Sequence, residues 1–133
     1  MPYKYLEHKA DLLIEATGPN FQEALESAAQ GMFDAIARVK GSDEVEIEQE
    51  GDSLEDLVAH TLSQLLSESD AGEIPFFKFK VTSFERKPKP KLKGVAYGKK
   101  DAPRRGSVKA VTYHELSVKE EKGKAVIRVL LDI

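Results

Sequence analysis

Apolar residues recur with helical spacing in two stretches of this chain, and the remaining apolar runs are short or alternate with polar residues. That leaves room for two helices and a set of strands. The first stretch is Phe21, Ala24, Leu25, Ala28, Ala29, Met32, Phe33, Ile36 and Ala37. Asn20 precedes it as an N-cap, with Glu23 placed to complete a capping box, and Gly41 marks the expected stop. The small residues of this stripe allow close approach to a sheet. The second stretch begins at Asp52-Ser53, and its stripe is Leu54, Leu57, Val58, Leu62, Leu65 and Leu66. Its end is expected before Glu68-Ser69-Asp70-Ala71-Gly72.

The rest reads as strands. Tyr3–Leu6 is a short one, and Leu12–Ala16 precedes the first helix. Val45–Glu48 alternates between the helices, as do Phe77, Phe79 and Val81 with the polar residues between them. Leu92–Tyr97 is a further strand. Val108, Ala110 and Thr112, continuing to Leu116 and Val118, are expected on one face of a long strand. Ala125, Ile127, Val129 and Leu131 line the inner face of the last. Lys87-Pro88-Lys89-Pro90-Lys91 is a turn or edge segment, because proline cannot donate to a sheet ladder. These elements predict one α+β domain over residues 1–133: a mixed, largely antiparallel sheet of six to seven strands, with both amphipathic helices packed on one face.

Composition narrows the functional classes. Cysteine is absent, which excludes disulfides, thiolate zinc sites and cysteine nucleophiles. No apolar run spans a bilayer, and Met1-Pro2-Tyr3-Lys4 does not open a signal peptide, so no membrane role and a cytoplasmic location are expected. Charge is divided along the chain. Residues 1–75 hold 17 acids and 4 bases, whereas residues 76–133 hold 6 acids and 16 bases. Between Arg86 and Lys109 ten bases meet only Asp101. Such a segment faces either phosphate, an acidic partner surface, or the acidic helices of its own fold.

Phosphate-loop, dinucleotide, zinc-protease and nucleophile-elbow motifs are all missing. What remains is acidic. If the first and last strands are neighbours, Asp11, Asp132 and the carboxylate of Ile133 converge as hard oxygen donors for a divalent cation: calcium first, with magnesium or manganese as alternatives. His8, three residues before Asp11, is placed to orient such a site or to serve as a plain structural hydrogen-bonding group. His60, among polar helix neighbours, reads as a solvated surface residue, and His114 as a core histidine if it faces inward. Lys109 sits beside apolar Val108 and Ala110, with a stem that can pack while its ammonium reaches a rim.

Tyr5-Leu6-Glu7-His8-Lys9-Ala10-Asp11 and Val108-Lys109-Ala110-Val111-Thr112-Tyr113-His114 resemble the two signature blocks of the archease family, and Leu131-Asp132-Ile133 resembles its closing block. Gly18, the alanine-rich first helix through Met32-Phe33, and Gly51–Leu57 fall between them in the same order. Lys9 stands where threonine is common, Thr61 where tryptophan is common, Lys99 where an acid is usual and Ala125 where an aromatic is frequent. The resemblance implies a chaperone-like protein cofactor, with no reaction of its own, for the RtcB-type RNA ligase of tRNA splicing. Such a cofactor promotes GTP-dependent guanylylation of the ligase and its repeated turnover. By position, Asp11, Asp132 and Ile133 match the family's metal site and Lys109 its functional lysine. Two rival classes are a small metal-dependent phosphoester hydrolase, with His8 as its only obvious base, and an RNA-binding chaperone with weak tRNA contact. The second has only Tyr97 as a stacking aromatic in the basic segment.

Overall fold

The computed structural model describes residues 2–8 and 10–133, so Lys9 and Met1 lie outside the described residues. The order is β1 (Tyr3–Leu6), β2 (Asp11–Gly18), α1 (Phe21–Ile36), β3 (Asp43–Glu50), α2 (Leu54–Gly72), β4 (Phe76–Glu85), β5 (Lys91–Gly98), β6 (Ala110–Glu121) and β7 (Lys124–Asp132). The α+β class stands, with two helices and seven strands among the described residues. The strands are distributed over two sheets rather than one: four in the order β1-β2-β7-β6 and three in the order β3-β5-β4. Every neighbouring pair is antiparallel.

The helices are shared between the sheets. Helix α1 packs on β2 and β7 of the larger sheet and on β4 of the smaller, while α2 packs on β3 and β6. All nine residues of the first stripe are buried, as are Leu57, Val58, Leu62, Leu65 and Leu66 of the second. Ile14, Ala16, Ile127, Val129 and Leu131 meet them from the four-stranded sheet. Apolar burial of this kind stabilises by about 25 cal/mol per Å2, the main favourable term in the fold.

The helix caps follow the sequence at their N-termini. The Asn20 side chain accepts from the Glu23 N–H at 2.9 Å and donates to the Glu23 carboxylate at 2.9 Å. The Ser53 hydroxyl accepts from the Asp56 N–H at 3.1 Å. The C-termini are set by distant chain. Helix α1 stops at Ile36, well before Gly41, because the N–H groups of Arg105 and Gly106 donate to the Ile36 carbonyl at 2.7 and 3.0 Å. A side chain at position 106 would put its Cβ 2.5 Å from the Ala35 carbonyl oxygen, so glycine is required there. Helix α2 runs on through Ser69 to Gly72 instead of ending before Glu68. Ser69 is buried and its hydroxyl donates to the Ile74 carbonyl at 2.8 Å. Glu73, in the left-handed region, closes the end with its N–H on Ser69 and Asp70.

Two strands depart from simple alternation. In β4 the inward residue at its start is Phe76, not Phe77, because a register shift falls between Phe76 and Lys78. In β6, Thr112 pairs with Leu130 and Ser117 with Arg128, so residues 113–116 stand opposite Val129 alone. This bulge reverses the facing. Val111 packs on the core before it and Val118 after it, whereas Ala110 is exposed. The single face expected for Val108, Ala110, Thr112, Leu116 and Val118 is therefore broken, and Val108 is buried just ahead of the strand.

Candidate metal centre and its partners

Strands β2 and β7 run side by side, and their ladder ends with Asp11 directly opposite Asp132. The pairing follows from the apolar pattern: Ile14 with Val129 and Ala16 with Ile127 must share the buried face, which fixes the register. Asp11 and Asp132 then lie on the other face, in the row beyond Leu13 and Leu130. Ala110 of β6 extends that row, opposite Asp132 on its far side. Lys109, exposed, donates its main-chain N–H to the Asp132 carbonyl at 2.7 Å. Ile133 follows Asp132 and is exposed.

His8 comes over this end of the sheet from the β1–β2 connection. Its Nδ1 lies 3.7 Å from Asp11 Oδ2 and its Nε2 lies 2.7 Å from Glu115 Oε2. Glu115 reaches it from the β6 bulge, where it adopts a positive φ of 60°. The imidazole is thus flanked by two carboxylates. Ala10, immediately before Asp11, also has a positive φ of 59°, which marks a tight turn into β2.

The five residues proposed from the sequence for the metal site and its partner contacts fall at one end of one sheet. Asp11, Asp132, Ile133, Lys109 and His8 are brought together by the β1–β2 connection, the β2–β7 ladder end and the approach to β6. Among the described residues, no group of three or more His, Cys, Asp or Glu side chains is arranged to hold a metal ion. The donor set still suits a hard cation. Like charges directly opposite in a ladder repel, and a cation relieves that. A neighbouring hydroxyl, Thr112 Oγ1 in the next row, is buried without a hydrogen-bond partner among the described residues.

The other histidines are elsewhere. His60 is exposed, with Nδ1 2.7 Å from the Glu50 carbonyl oxygen. His114 is exposed in the bulge and does not enter the core. Sequence reasoning missed Glu115. Its signal was the polar run Tyr113-His114-Glu115, which interrupts the alternation of a strand where the chain must bulge.

Much of the basic segment is answered inside the fold. Arg86 grips Glu120 with two bonds of 2.9 and 2.6 Å, which holds the Glu120 carboxyl below its ordinary range. Lys89 meets Asp52 at 3.0 Å, Lys91 meets Glu85 at 3.2 Å and Arg104 meets Asp70 at 3.3 Å. Lys93 stands opposite Glu48 in the β3–β5 ladder. Lys99, Lys100, Arg105 and Lys109 form no ion pair among the described residues. These four lie on the 99–109 connection, which ends beside Asp132. Tyr97 is occupied on the smaller sheet, with the Lys78 ammonium 5.8 Å from its ring centre.

Comparison with known proteins decides the family. The model of the Archease protein family (MTH1598/TM1083) matches residues 3–133. The chain belongs to the archease family. An archease from Sulfolobus acidocaldarius is 37% identical over 98% of both chains, and one from Pyrococcus furiosus is 34% identical over 98% of both. The solution structure of protein 1598 from Methanobacterium thermoautotrophicum superposes with a TM-score of 0.85 at 32% identity, covering 99% of each chain. An archease from Thermotoga maritima, described as a possible chaperone, has the same fold at a TM-score of 0.68 and 24% identity, covering 98% of this chain and 96% of that one. No helix of the described residues is long and apolar enough to cross a membrane.

Proposed function

We propose that this archease is a protein cofactor of an RtcB-type RNA ligase in tRNA splicing, promoting GTP-dependent guanylylation of the ligase and its turnover through a divalent metal site. One observation carries the reading: Asp11 and Asp132, far apart in sequence, are cross-strand partners at a sheet end. These two carboxylates and the carboxylate of Ile133 would hold the ion, calcium by preference for irregular oxygen sets, with magnesium or manganese as alternatives. The ion would supply positive charge able to stabilise phosphate oxygens.

The remaining roles belong to the chain itself. Asp11 is oriented by His8, which Glu115 holds from the opposite side. Lys109 is tied by its main chain to Asp132, leaving its ammonium to meet a triphosphate or an acidic side chain of the ligase. The unpaired bases of residues 99–109 add positive charge at the same end, which favours an anionic partner surface. The hydrolase reading has less support, since the Nε2 of its only base already faces Glu115 at 2.7 Å.

The test is ligation at limiting ligase with and without the protein. Product beyond one equivalent of ligase only in its presence supports the reading. Equal yields in both reactions overturn it.

A further inference from the structure

We infer that the free edge of β1, with the groove between it and α1, is a docking site for an extended acidic–apolar segment of a partner protein, which adds to the four-stranded sheet as a fifth strand. Strand β1 is the outer strand of that sheet. The Thr17 N–H donates to the Pro2 carbonyl at 2.7 Å, in register with the Tyr3–Ala16 and Lys4–Glu15 pairs that follow. Hydrogen-bonded and non-bonded pairs alternate in an antiparallel ladder. Lys4 and Leu6 therefore bond to β2, while the N–H and C=O groups of Tyr3 and Tyr5 point outward. No main-chain partner for them occurs among the described residues.

Other sheet edges carry protection. The β4 edge is closed by Glu26, whose carboxylate accepts the Val81 N–H at 2.8 Å. The β3 edge carries Glu44, Glu46, Glu48 and Glu50, all exposed, which would repel a second copy of itself. The β6 edge is interrupted by its bulge. Strand β1 has only Lys4, whose ammonium is already 3.3 Å from Glu15.

Beside this edge lies a groove of about 510 Å3. Tyr5, Leu12 and Ala35 give it an apolar lining, and Asp34 and Arg38 of the α1 end form its far wall. Tyr5 is 44% exposed, with its hydroxyl anchored on the Gly31 carbonyl at 2.9 Å. Charge selects the occupant. Both carboxylate oxygens of Asp34 are taken, one by the Tyr3 hydroxyl and one by the Gln30 amide. Arg38 is exposed and forms no ion pair among the described residues. An incoming strand turns every second side chain toward the α1 face, so apolar residues on that face meet Tyr5 and Leu12 while one acid on the same face meets the guanidinium. The site is independent of the carboxylate pair, which lies on the opposite face of the sheet.

The probe is an acetylated octapeptide with threonine at its odd positions and valine, phenylalanine, glutamate and valine at its even ones, added to the full chain at up to roughly 1 mM, within the range of weak peptide recognition. Amide hydrogen exchange at Tyr3 and Tyr5 should slow at least fivefold. N-methylation of the peptide on the edge facing β1 should abolish the effect, and N-methylation on its outer edge should not. Arg38→Glu, or lysine in place of the peptide glutamate, should weaken binding at least fivefold. Absence of slowing, equal binding of both N-methylated peptides, or protection that rises with protein concentration alone would each overturn the proposal; the last would assign the edge to a second copy.

Discussion

Glu115 Oε2 sits 2.7 Å from His8 Nε2, joining the β6 bulge to the β1–β2 connection across 107 residues. The contact explains why a strand with an apolar pattern is broken by four residues at that point. The bulge costs ladder bonds, and it carries a carboxylate over the end of the sheet to the ring that faces Asp11. Residues that act as a unit are non-additive. His8→Ala and Glu115→Ala should therefore lower ligase stimulation by similar factors, and the double variant should be no worse than the stronger single one. Multiplicative losses in a double-mutant cycle would show that Glu115 acts separately.

The Asp11–Asp132 pair makes a sign prediction. Without metal, two carboxylates opposite one another repel, so Asp11→Asn or Asp132→Asn should leave the metal-free protein equally stable or more stable by about 0.2–1 kcal/mol. The same substitutions should abolish the rise in melting temperature that calcium or manganese produces, together with ligase stimulation. Thermal unfolding with chelator and with added metal measures both. A large loss of stability in chelator would mean that the carboxylates serve the fold.

Gly106 couples the basic connection to α1. Its N–H donates to Ile36, and a Cβ there would lie 2.5 Å from the Ala35 oxygen. Gly106→Ala must push residues 99–109 away from the helix end, at a cost of about 1–3 kcal/mol. Faster amide exchange at Arg105 and Gly106 than in the parent protein is the expected signature. Lys109, three residues on, should lose part of its effect on the ligase in the same variant.

How much of this was legible depended on whether a position answers to local pattern or to distant chain. Both helix stripes and both N-caps could be read because a cap and the residue it bonds lie within one turn. The strand β7 face could be read because alternation reports burial directly. The division into two sheets could not, since alternation says that a strand has a buried face but not which sheet it joins. Gly41 failed as a helix stop because the acceptor of Ile36 is met by Arg105 and Gly106, nearly 70 residues on. The first and last strands are not neighbours, since β2 stands between β1 and β7; Asp11 meets the position of Asp132 because it opens β2 itself. Glu115 was missed because the polar run Tyr113-His114-Glu115 marks where the strand bulges but not which distant group its side chains reach.

Thr61 offers a test of the core. It lies on α2, fully buried, with its hydroxyl unpartnered among the described residues. An unsatisfied buried hydroxyl is costly, and valine has the same shape without it. Thr61→Val should raise stability by about 1 kcal/mol in urea unfolding, with no change in ligase stimulation. A loss would mean that a solvent molecule or a backbone carbonyl satisfies the hydroxyl.

Two carboxylates set the acid limb of stability. Glu15 accepts from Arg128 Nε at 2.8 Å, with Arg128 Nη2 an ion-pair neighbour at 2.8 Å and Lys4 at 3.3 Å, so three strands of one sheet meet at one group. The hydrogen bond from Arg128 holds its carboxyl below the ordinary glutamate range, against the smaller opposing effect of burial. The Arg86 fork does the same for Glu120. A carboxyl whose folded pKa is depressed stabilises the protein fully above its unfolded value, near 4.3, and loses that contribution as pH falls through the folded value. The variant Glu15→Gln/Glu120→Gln should thus be less stable than the parent at pH 7 by about 1–2 kcal/mol in total, the sum of two partly exposed pairs. The difference should shrink as pH falls below the unfolded value and vanish once pH has passed through the depressed folded values. Urea unfolding at pH 7, 5 and 3 follows the convergence. A difference that persists undiminished at pH 3 would assign the loss to packing of the side chains rather than to their charge.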